Sequence, residues 1–345
     1  MSLTLYPLGD YIQLLQRKNL QLEFSGAPLT REVSLVSCDS RQVVPGTLFI
    51  CKGAHFKVEF LQSAKEQGAF AYLSEKRYDQ VDLPCILVSD VRLAMALLAD
   101  FYYNHPSAKL GVVGITGTKG KSSTAYYLKY IFDEYLAAKG QPASGVISSI
   151  ETYDGVEKFE SHLTTPEPLD LERHFANGVA TGMRYLTMEV SSQALKYDRV
   201  KNVEFAAAVF LNIGMDHISP IEHPDFEDYK NAKHRLFVDY QAREMIYNAD
   251  DDTSEFMRTG FGGHQTSYGI ERAADYHGTA LAQFRSETAL GIDFLCEHSG
   301  SSTAVRVLSP GEFSASDALC AIALCGAFGV SPAQAAQTLA HTPVQ

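Results

Sequence analysis

No stretch of 18 consecutive apolar residues occurs in the 345-residue chain, and the opening Met1-Ser-Leu-Thr-Leu-Tyr-Pro-Leu-Gly-Asp10 has neither the basic start nor the apolar core of an export signal. No membrane insertion is expected on that ground. Clusters of Lys and Arg are missing as well. The formal charge of −12 has no basic patch to offset it, which argues against a nucleic-acid surface. Anionic ligands must then be held by local devices. The six cysteines, at positions 38, 51, 85, 296, 320 and 325, form no C-x-x-C pair and no metal-ligand spacing with histidines. They read as reduced, mostly buried thiols and fit a cytoplasmic setting. Internal repeats and low-complexity tracts are also absent. What remains is a composition of 46% hydrophobic and 20% charged residues, a globular balance in a chain long enough for two or three domains with their own cores.

The most informative segment is Gly111-Val-Val-Gly-Ile-Thr-Gly-Thr-Lys-Gly-Lys-Ser-Ser-Thr124. A short apolar run breaks into glycines and then into Gly120-Lys121-Ser122 at the start of a helical pattern. Glycines let successive N–H groups turn toward an anion, and the helix N-terminus adds the positive end of its dipole. Lys121 can reach β and γ phosphates and Ser122 can hold Mg²⁺. Gly117, Thr118, Lys119, Gly120 and Ser123 complete the expected nucleotide cradle. The general consensus asks for Gly where Ile115 stands, and glycines appear at 114 and 117 instead. The plain alternative is a strand-to-helix turn.

Residues 1–106 read as a small α/β unit, with strands at Gly46 to Cys51, Ala69 to Ser74 and Cys85 to Val88 and a helix around Phe60 to Gln67. Asn104-His105-Pro106-Ser107 then punctuates the chain. Over 107–345, short β-rich runs alternate with helical patterns, at Leu110 to Thr116, Gly145 to Ile150, Tyr185 to Val190, Phe205 to Ile213, Glu244 to Asn248 and Thr266 to Ile270. Such alternation predicts an α/β fold with a mostly parallel sheet covered by helices. Ala125, Leu128, Phe132 and Tyr135 share one face of the helix after the cradle, with Gly140 as its stop. Ser316 to Phe328 and Pro332 to Ala340 read as two further apolar helices.

Ligands in such sheets bind beyond the carboxyl ends of the strands, and four clusters fall there. Glu189 ends a strand and is followed by Ser191-Ser192; it can complete a Mg²⁺ shell or cap a helix. Asn212-Ile-Gly-Met-Asp-His217 follows the next strand, and His217 is either a metal or phosphate contact or a structural histidine. Thr164-Thr165-Pro166 offers two hydroxyls on an extended pre-proline segment, for a sugar or peptide or simply for the loop. In the helix Phe226 to Tyr240, Lys233 falls inside the apolar stripe of Phe226, Tyr229, Leu236, Phe237 and Tyr240. A buried ammonium must be paired, neutralised or chemically altered. Spacing alone favours a lysine that snorkels or binds a carboxylate; a neutral lysine could also take up CO₂ as a carbamate and become a Mg²⁺ ligand.

Together these segments resemble the Mur ligases, and within them the MurE type that adds the third residue to UDP-N-acetylmuramoyl-L-alanyl-D-glutamate. The carriers are Asp39-Ser40-Arg41 with Pro45-Gly46-Thr-Leu-Phe49, the cradle Gly114 to Ser122, Leu163-Thr-Thr-Pro-Glu-Pro168, Met188-Glu-Val-Ser-Ser-Gln-Ala-Leu195 with Arg199, Asn212 to His217, and Tyr229-Lys-Asn-Ala-Lys233. The resemblance implies an N-terminal domain over 1–106 for the UDP-muramoyl substrate and a central ATP domain over 107–345. It also implies a third domain that selects the incoming amino acid and lies beyond this sequence. The implied chemistry is ATP-dependent amide formation through an acyl phosphate, with two Mg²⁺ ions. Lys121 and the cradle, with Asn212, would hold ATP; Ser122 the first metal; Glu189, His217 and a carbamylated Lys233 the second metal or the transferring phosphate. Thr164, Thr165, Ser191 and Arg199 would contact the muramoyl dipeptide, and Ser40 and Arg41 the UDP end.

Departures from the family pattern accompany it. Gln193 stands where the family usually has His, Ala54-His55-Phe56-Lys57 where it has Asp-Gly-His, and Phe313-Ser-Ala-Ser-Asp317 where it has Phe-Asn-Val-x-Asn. Two other readings stay in play: a Mur-like or folylpolyglutamate-like ligase for another carboxylate, and a nucleotide-binding module without ligase activity.

Overall fold

Alternation of side chains along short strands organises the first hundred residues. The computed structural model describes every residue except 1–3, 27, 54–55, 217, 220–221, 241, 287–288 and 345. Its first unit comprises 1–106 with 166–176 and 197–203; the second comprises 107–165, 177–196 and 204–345. In the first, a sheet runs in the order Gln21–Phe24, Cys85–Val88, Ala69–Ser74, Thr47–Ile50, Leu35–Ser37, parallel except at the Gln21–Phe24 edge. Leu48, Ile50, Ala71 and Leu73 face one core with helices Leu8–Arg17 and Val91–Tyr102, while Phe49 and Tyr72 face the other with helix Val58–Glu66. The period of two thus feeds both faces of one sheet. The helices Leu8–Arg17 and Val91–Tyr102 were not anticipated from the sequence.

The second unit is built on a larger sheet. Its centre is Gly111–Thr116, flanked by Tyr185–Glu189 and Phe205–Phe210, both parallel to it. Gly145–Ile147 extends the parallel set on one side, and Glu244–Asn248, His264–Gly269 and Tyr276–Arg285 extend it on the other. Antiparallel strands close both edges: Glu151–Tyr153 and Lys158–Glu160 at one, Leu290–His298 and Ser301–Val307 at the other. The expected α/β architecture with a mostly parallel sheet is what forms. The ribbon spanning 276–307 is an addition, turned at Ser299-Gly300, both at positive φ (49° and 74°) as a tight hairpin requires. Two anticipated strands stop short. The run from Gly145 ends at Ile147 because the Ser148 hydroxyl accepts the amides of Ile150 (3.1 Å) and Glu151 (3.0 Å) and turns the chain. The run from Phe205 ends at Phe210, and 211–216 is irregular.

Helix Lys121–Ala137 buries Ala125, Leu128 and Phe132 completely, while Tyr135 packs at the rim. Gly140 takes a left-handed φ of 64° just past its end. The apolar helix Glu312–Ala327 and the shorter Pro332–Leu339 join the same core. Among the described residues no helix is long and apolar enough to cross a membrane.

Phe132 sits at the middle of this core, its ring 4.7 Å from Tyr185 and 5.6 Å, edge-on, from Phe328. Phe132→Ala should cost about 3–5 kcal/mol of unfolding free energy, with Phe132→Leu costing less. Denaturant titration checks it: a midpoint within error of the parent protein would show that this ring does not organise the unit.

Candidate functional site

Strand register brings distant segments to one place. Glu189 and Val209 both lie opposite Ile115, so the chain leaves three adjacent parallel strands at the same level. The loop 117–120 leaves the central one. A Cβ on Gly117 would lie 2.9 Å from the Leu211 Cβ, and Gly120 combines a φ of +83° with a Cβ that would strike the Asp317 carboxylate. Both positions need glycine. Asn212 clamps the loop: its carbonyl accepts the Thr118 amide (3.0 Å), its Oδ1 the Lys119 amide (2.9 Å), and its Nδ2 donates to the Lys119 carbonyl (3.1 Å). The Thr118 hydroxyl pairs with the Tyr229 hydroxyl at 3.0 Å and accepts the Gly214 amide at 3.0 Å. Lys119 reaches Asp216 at 3.6 Å.

Two ammonium groups share this loop. Lys121 Nζ donates to the carbonyls of Gly117 (2.9 Å) and Thr118 (3.2 Å), and Lys233 Nζ donates to Gly117 (3.0 Å) while lying 4.7 Å from the Tyr229 ring centre. Lys233 is 2% exposed. It neither snorkels to the surface nor sits outside the site: helix Phe226–Val238 aims it at the cradle. Burial pushes the Lys233 ammonium well below the usual lysine range, and the neighbouring Lys121 charge pushes it further. Burial also lowers Lys121, against which the Glu189 carboxylate acts.

Glu189, 1% exposed, lies beside the first turn of the cradle helix. Its Oε1 accepts from the Ser122 hydroxyl (2.8 Å) and from the Ser149 amide (2.9 Å) and hydroxyl (3.3 Å). Ser123 occupies the same helical turn as Ser122. Ser149, a loop serine with no sequence signal, was missed, as was the reach of the Tyr229 hydroxyl, which had been read as apolar stripe. A helix N-terminus, one buried and one half-buried lysine and a carboxylate within hydrogen-bond reach of a first-turn serine suit a polyphosphate bound with a divalent cation. His217, expected as a metal ligand, lies outside the described residues.

Thr165 is 1% exposed, and its hydroxyl donates to the Glu189 carbonyl (2.9 Å) and accepts the Ser191 amide (3.0 Å). It braces the end of the acidic strand, whereas the preceding Thr164 is half-buried. The Ser191 hydroxyl accepts the Ala194 amide (3.1 Å) and so caps helix Ser192–Lys196. Gln193 donates to Glu222 at 3.1 Å. These residues and the cradle belong to the second unit. Ser40, Arg41 and Arg199 belong to the first. There Arg199 Nε meets Glu167 at 3.0 Å and Lys52 pairs with the same carboxylate. Arg41, exposed, is gripped by Asp39 on a single helical turn, Ser40–Gln42, capped by that aspartate.

Comparison with known proteins gives consistent matches. The Mur ligase middle domain matches residues 115–325. The UDP-N-acetylmuramoyl-L-alanyl-D-glutamate--L-lysine ligase of Enterococcus faecalis is 42% identical over 260 residues, 72% of this chain and 50% of that protein. The UDP-N-acetylmuramyl-tripeptide synthetase of Limosilactobacillus reuteri is 35% identical over 336 residues, 90% of this chain and 63% of that protein. The chain thus spans about half to under two thirds of these relatives. Among solved structures, a UDP-N-acetylmuramoyl-L-alanyl-D-glutamate--2,6-diaminopimelate ligase superposes with a TM-score of 0.76 at 21% identity, covering 98% of this chain and 66% of its own. MurF from Acinetobacter baumannii gives 0.71 at 21% identity over 100% of this chain and 70% of its own. At these identities the likeness is one of fold.

Asp317, the carboxylate against Gly120, yields a test. Burial raises its pKa from 3.8 to about 7. Folding therefore favours its protonated form; that contribution is full below the ordinary value and is lost as pH climbs through about 7, above which the fold holds a buried charge. Asp317→Asn should stabilise the protein at about pH 8, by at most on the order of 4 kcal/mol, and the gain should vanish toward about pH 4. A stability difference independent of pH between these limits would refute it.

Proposed function

The chain belongs to the Mur ligase family, and we propose that it carries the substrate and ATP domains of a MurE-type ligase that joins a third amino acid to UDP-N-acetylmuramoyl-L-alanyl-D-glutamate in peptidoglycan synthesis. The observation that supports this most is the meeting of Lys121, Lys233, Ser122 and Glu189 around one loop, in a chain whose relatives carry that activity in their names. Residues 1–106 take the UDP-muramoyl substrate, with Ser40 and Arg41 toward the UDP end; 107–345 takes ATP. Relatives at 42% and 47% identity are named for L-lysine, which favours L-lysine over diaminopimelate as the incoming amino acid.

The chemistry required is activation of a carboxylate, a poor electrophile, by a polyphosphate that repels it. Lys121 and the N–H groups of 118–122 neutralise the phosphates and fix their orientation. Mg²⁺, when bound, screens the remaining negative charge and polarises the transferred phosphoryl group. Ser122 would hold one such ion, and Glu189, His217 and a carbamylated Lys233 the second ion or the transferring phosphate. The Lys233 environment suits carbamate formation: burial and the Lys121 charge favour the neutral amine, which attacks CO₂ with release of a proton, and the resulting anion would face the Lys121 ammonium. Thr164 and Ser191 position the dipeptide whose carboxylate is activated, while Thr165 holds Ser191 and the end of the Glu189 strand in place.

In the enzyme that includes the third domain, ADP release should depend on the muramoyl dipeptide and L-lysine together. Release that ignores the dipeptide would return the chain to the nucleotide-binding class. Lys233→Ala should lower kcat about a hundredfold or more. Activity of the parent enzyme should fall in CO₂-depleted buffer and return with bicarbonate; full turnover by Lys233→Ala, or no response to bicarbonate, would remove the carbamate from the reading.

A further inference from the structure

Behind the proposed substrate segment lies a hydrogen-bonded chain of three buried or half-buried groups that the reaction itself does not use. His223, 0% exposed, has its Nδ1 2.6 Å from Asp228 Oδ2 and its Nε2 2.9 Å from the Ser192 hydroxyl. The Lys196 ammonium donates to the same Asp228 oxygen at 2.7 Å and to the Glu222 carbonyl at 3.1 Å. Lys196 and His223 hold the Asp228 carboxyl below the usual carboxylate range, so it accepts only. The Nδ1 of His223 then donates to Asp228, and Nε2 shares its hydrogen bond with the Ser192 hydroxyl. This order of groups activates a serine nucleophile in hydrolases. Here Ser192 is 4% exposed, which leaves a substrate carbonyl no approach, so the relay fixes geometry instead.

What it fixes follows from the elements it joins. Ser192 opens the short helix directly after Ser191, and Asp228 lies in the first turn of the helix that carries Tyr229 and Lys233. That helix touches the cradle through Tyr229 to Thr118 and Lys233 to Gly117. Arg235 of the same helix donates to the Leu195 carbonyl. One helix therefore grips the nucleotide loop on one side and segment 191–196 on the other.

We infer that Ser192, His223 and Asp228 form a positioning relay that sets the register between the dipeptide-contacting Ser191 segment and the phosphate cradle. The inference rests on the proposed muramoyl reading for the identity of the substrate, but not for the relay itself.

The test uses the full-length enzyme with Ser192→Ala, Ser192→Thr and Asp228→Asn. Ser192→Ala should raise KM for the muramoyl dipeptide about tenfold and leave KM for ATP within about twofold, while Ser192→Thr, which keeps the hydroxyl, recovers most of the loss. Asp228→Asn can donate to Nδ1 and so invert the imidazole tautomer; it should reproduce the Ser192→Ala defect. Hydrogen exchange supplies a readout apart from activity: amides of 191–196 should exchange about tenfold faster in Ser192→Ala, with those of 113–122 unchanged. An unchanged dipeptide KM in an active enzyme, both KM values moving in step, or unaltered exchange over 191–196 would overturn the relay. If the parent enzyme fails to use the muramoyl dipeptide, the functional reading falls, and the exchange comparison still decides the relay.

Discussion

The second unit is organised around one electrostatic constraint, two lysine side chains converging on the Gly117 carbonyl, Lys233 buried and Lys121 half-buried. Like charges in a poorly solvated place repel strongly, and burial of Lys233 adds to the penalty. Structure must hold such a pair together against its own preference. The apolar stripe of helix Phe226–Val238 does this by burying Tyr229, Leu236 and Phe237 on the side that carries Lys233. The Tyr229 ring face and the Gly117 carbonyl offset part of the charge, and Glu189 opposes it from the next strand. A site arranged this way is poised for an anion.

That constraint also explains why so many interactions at the site are between backbone and side chain. Asn212 commits its carbonyl and both side-chain amide groups to the loop, and Thr165 commits its hydroxyl to the end of the Glu189 strand. Neither needs to touch a ligand to matter. An N–H array can stabilise charge without reorganising only if it is already rigid. The glycines that free the loop from side chains would otherwise leave it loose, and the Asn212 clamp supplies the missing stiffness.

Legibility differed by kind of signal. The parallel strands and the cradle helix could be read because apolar runs, glycines and the 3.6-residue period are local properties of the chain. The ribbon over 276–307 could not: its long strands mix polar and apolar residues without a continuous apolar run, and the first pairing shifts register between Thr279 and Ala282. Lys233 stood out in sequence because a charge inside an apolar stripe is itself an anomaly. Spacing alone favoured snorkelling or a carboxylate partner; its actual contact with Gly117 needed the fold, since 116 residues separate them. Ser149 and the Tyr229 hydroxyl were silent for the same reason, their partners lying 40 and 111 residues away. Each is an ordinary residue whose meaning comes from the partner opposite.

The same reasoning bears on whether the unit is more than a nucleotide clamp. Holding a polyphosphate needs a loop, a helix N-terminus and one lysine, all of which the strand–loop–helix over 111–137 already contains. A buried second lysine on a separate helix is costly for that purpose, because burial and the neighbouring Lys121 both disfavour its ammonium form. It becomes useful if the site must place further charge beside the phosphates during transfer to a second substrate. The helix that carries Lys233 is also the one tied through Asp228 and Arg235 to segment 191–196. Binding alone gives no reason to couple the phosphate loop to a segment beyond it, whereas phosphoryl transfer requires the two reacting groups to be held in fixed relation.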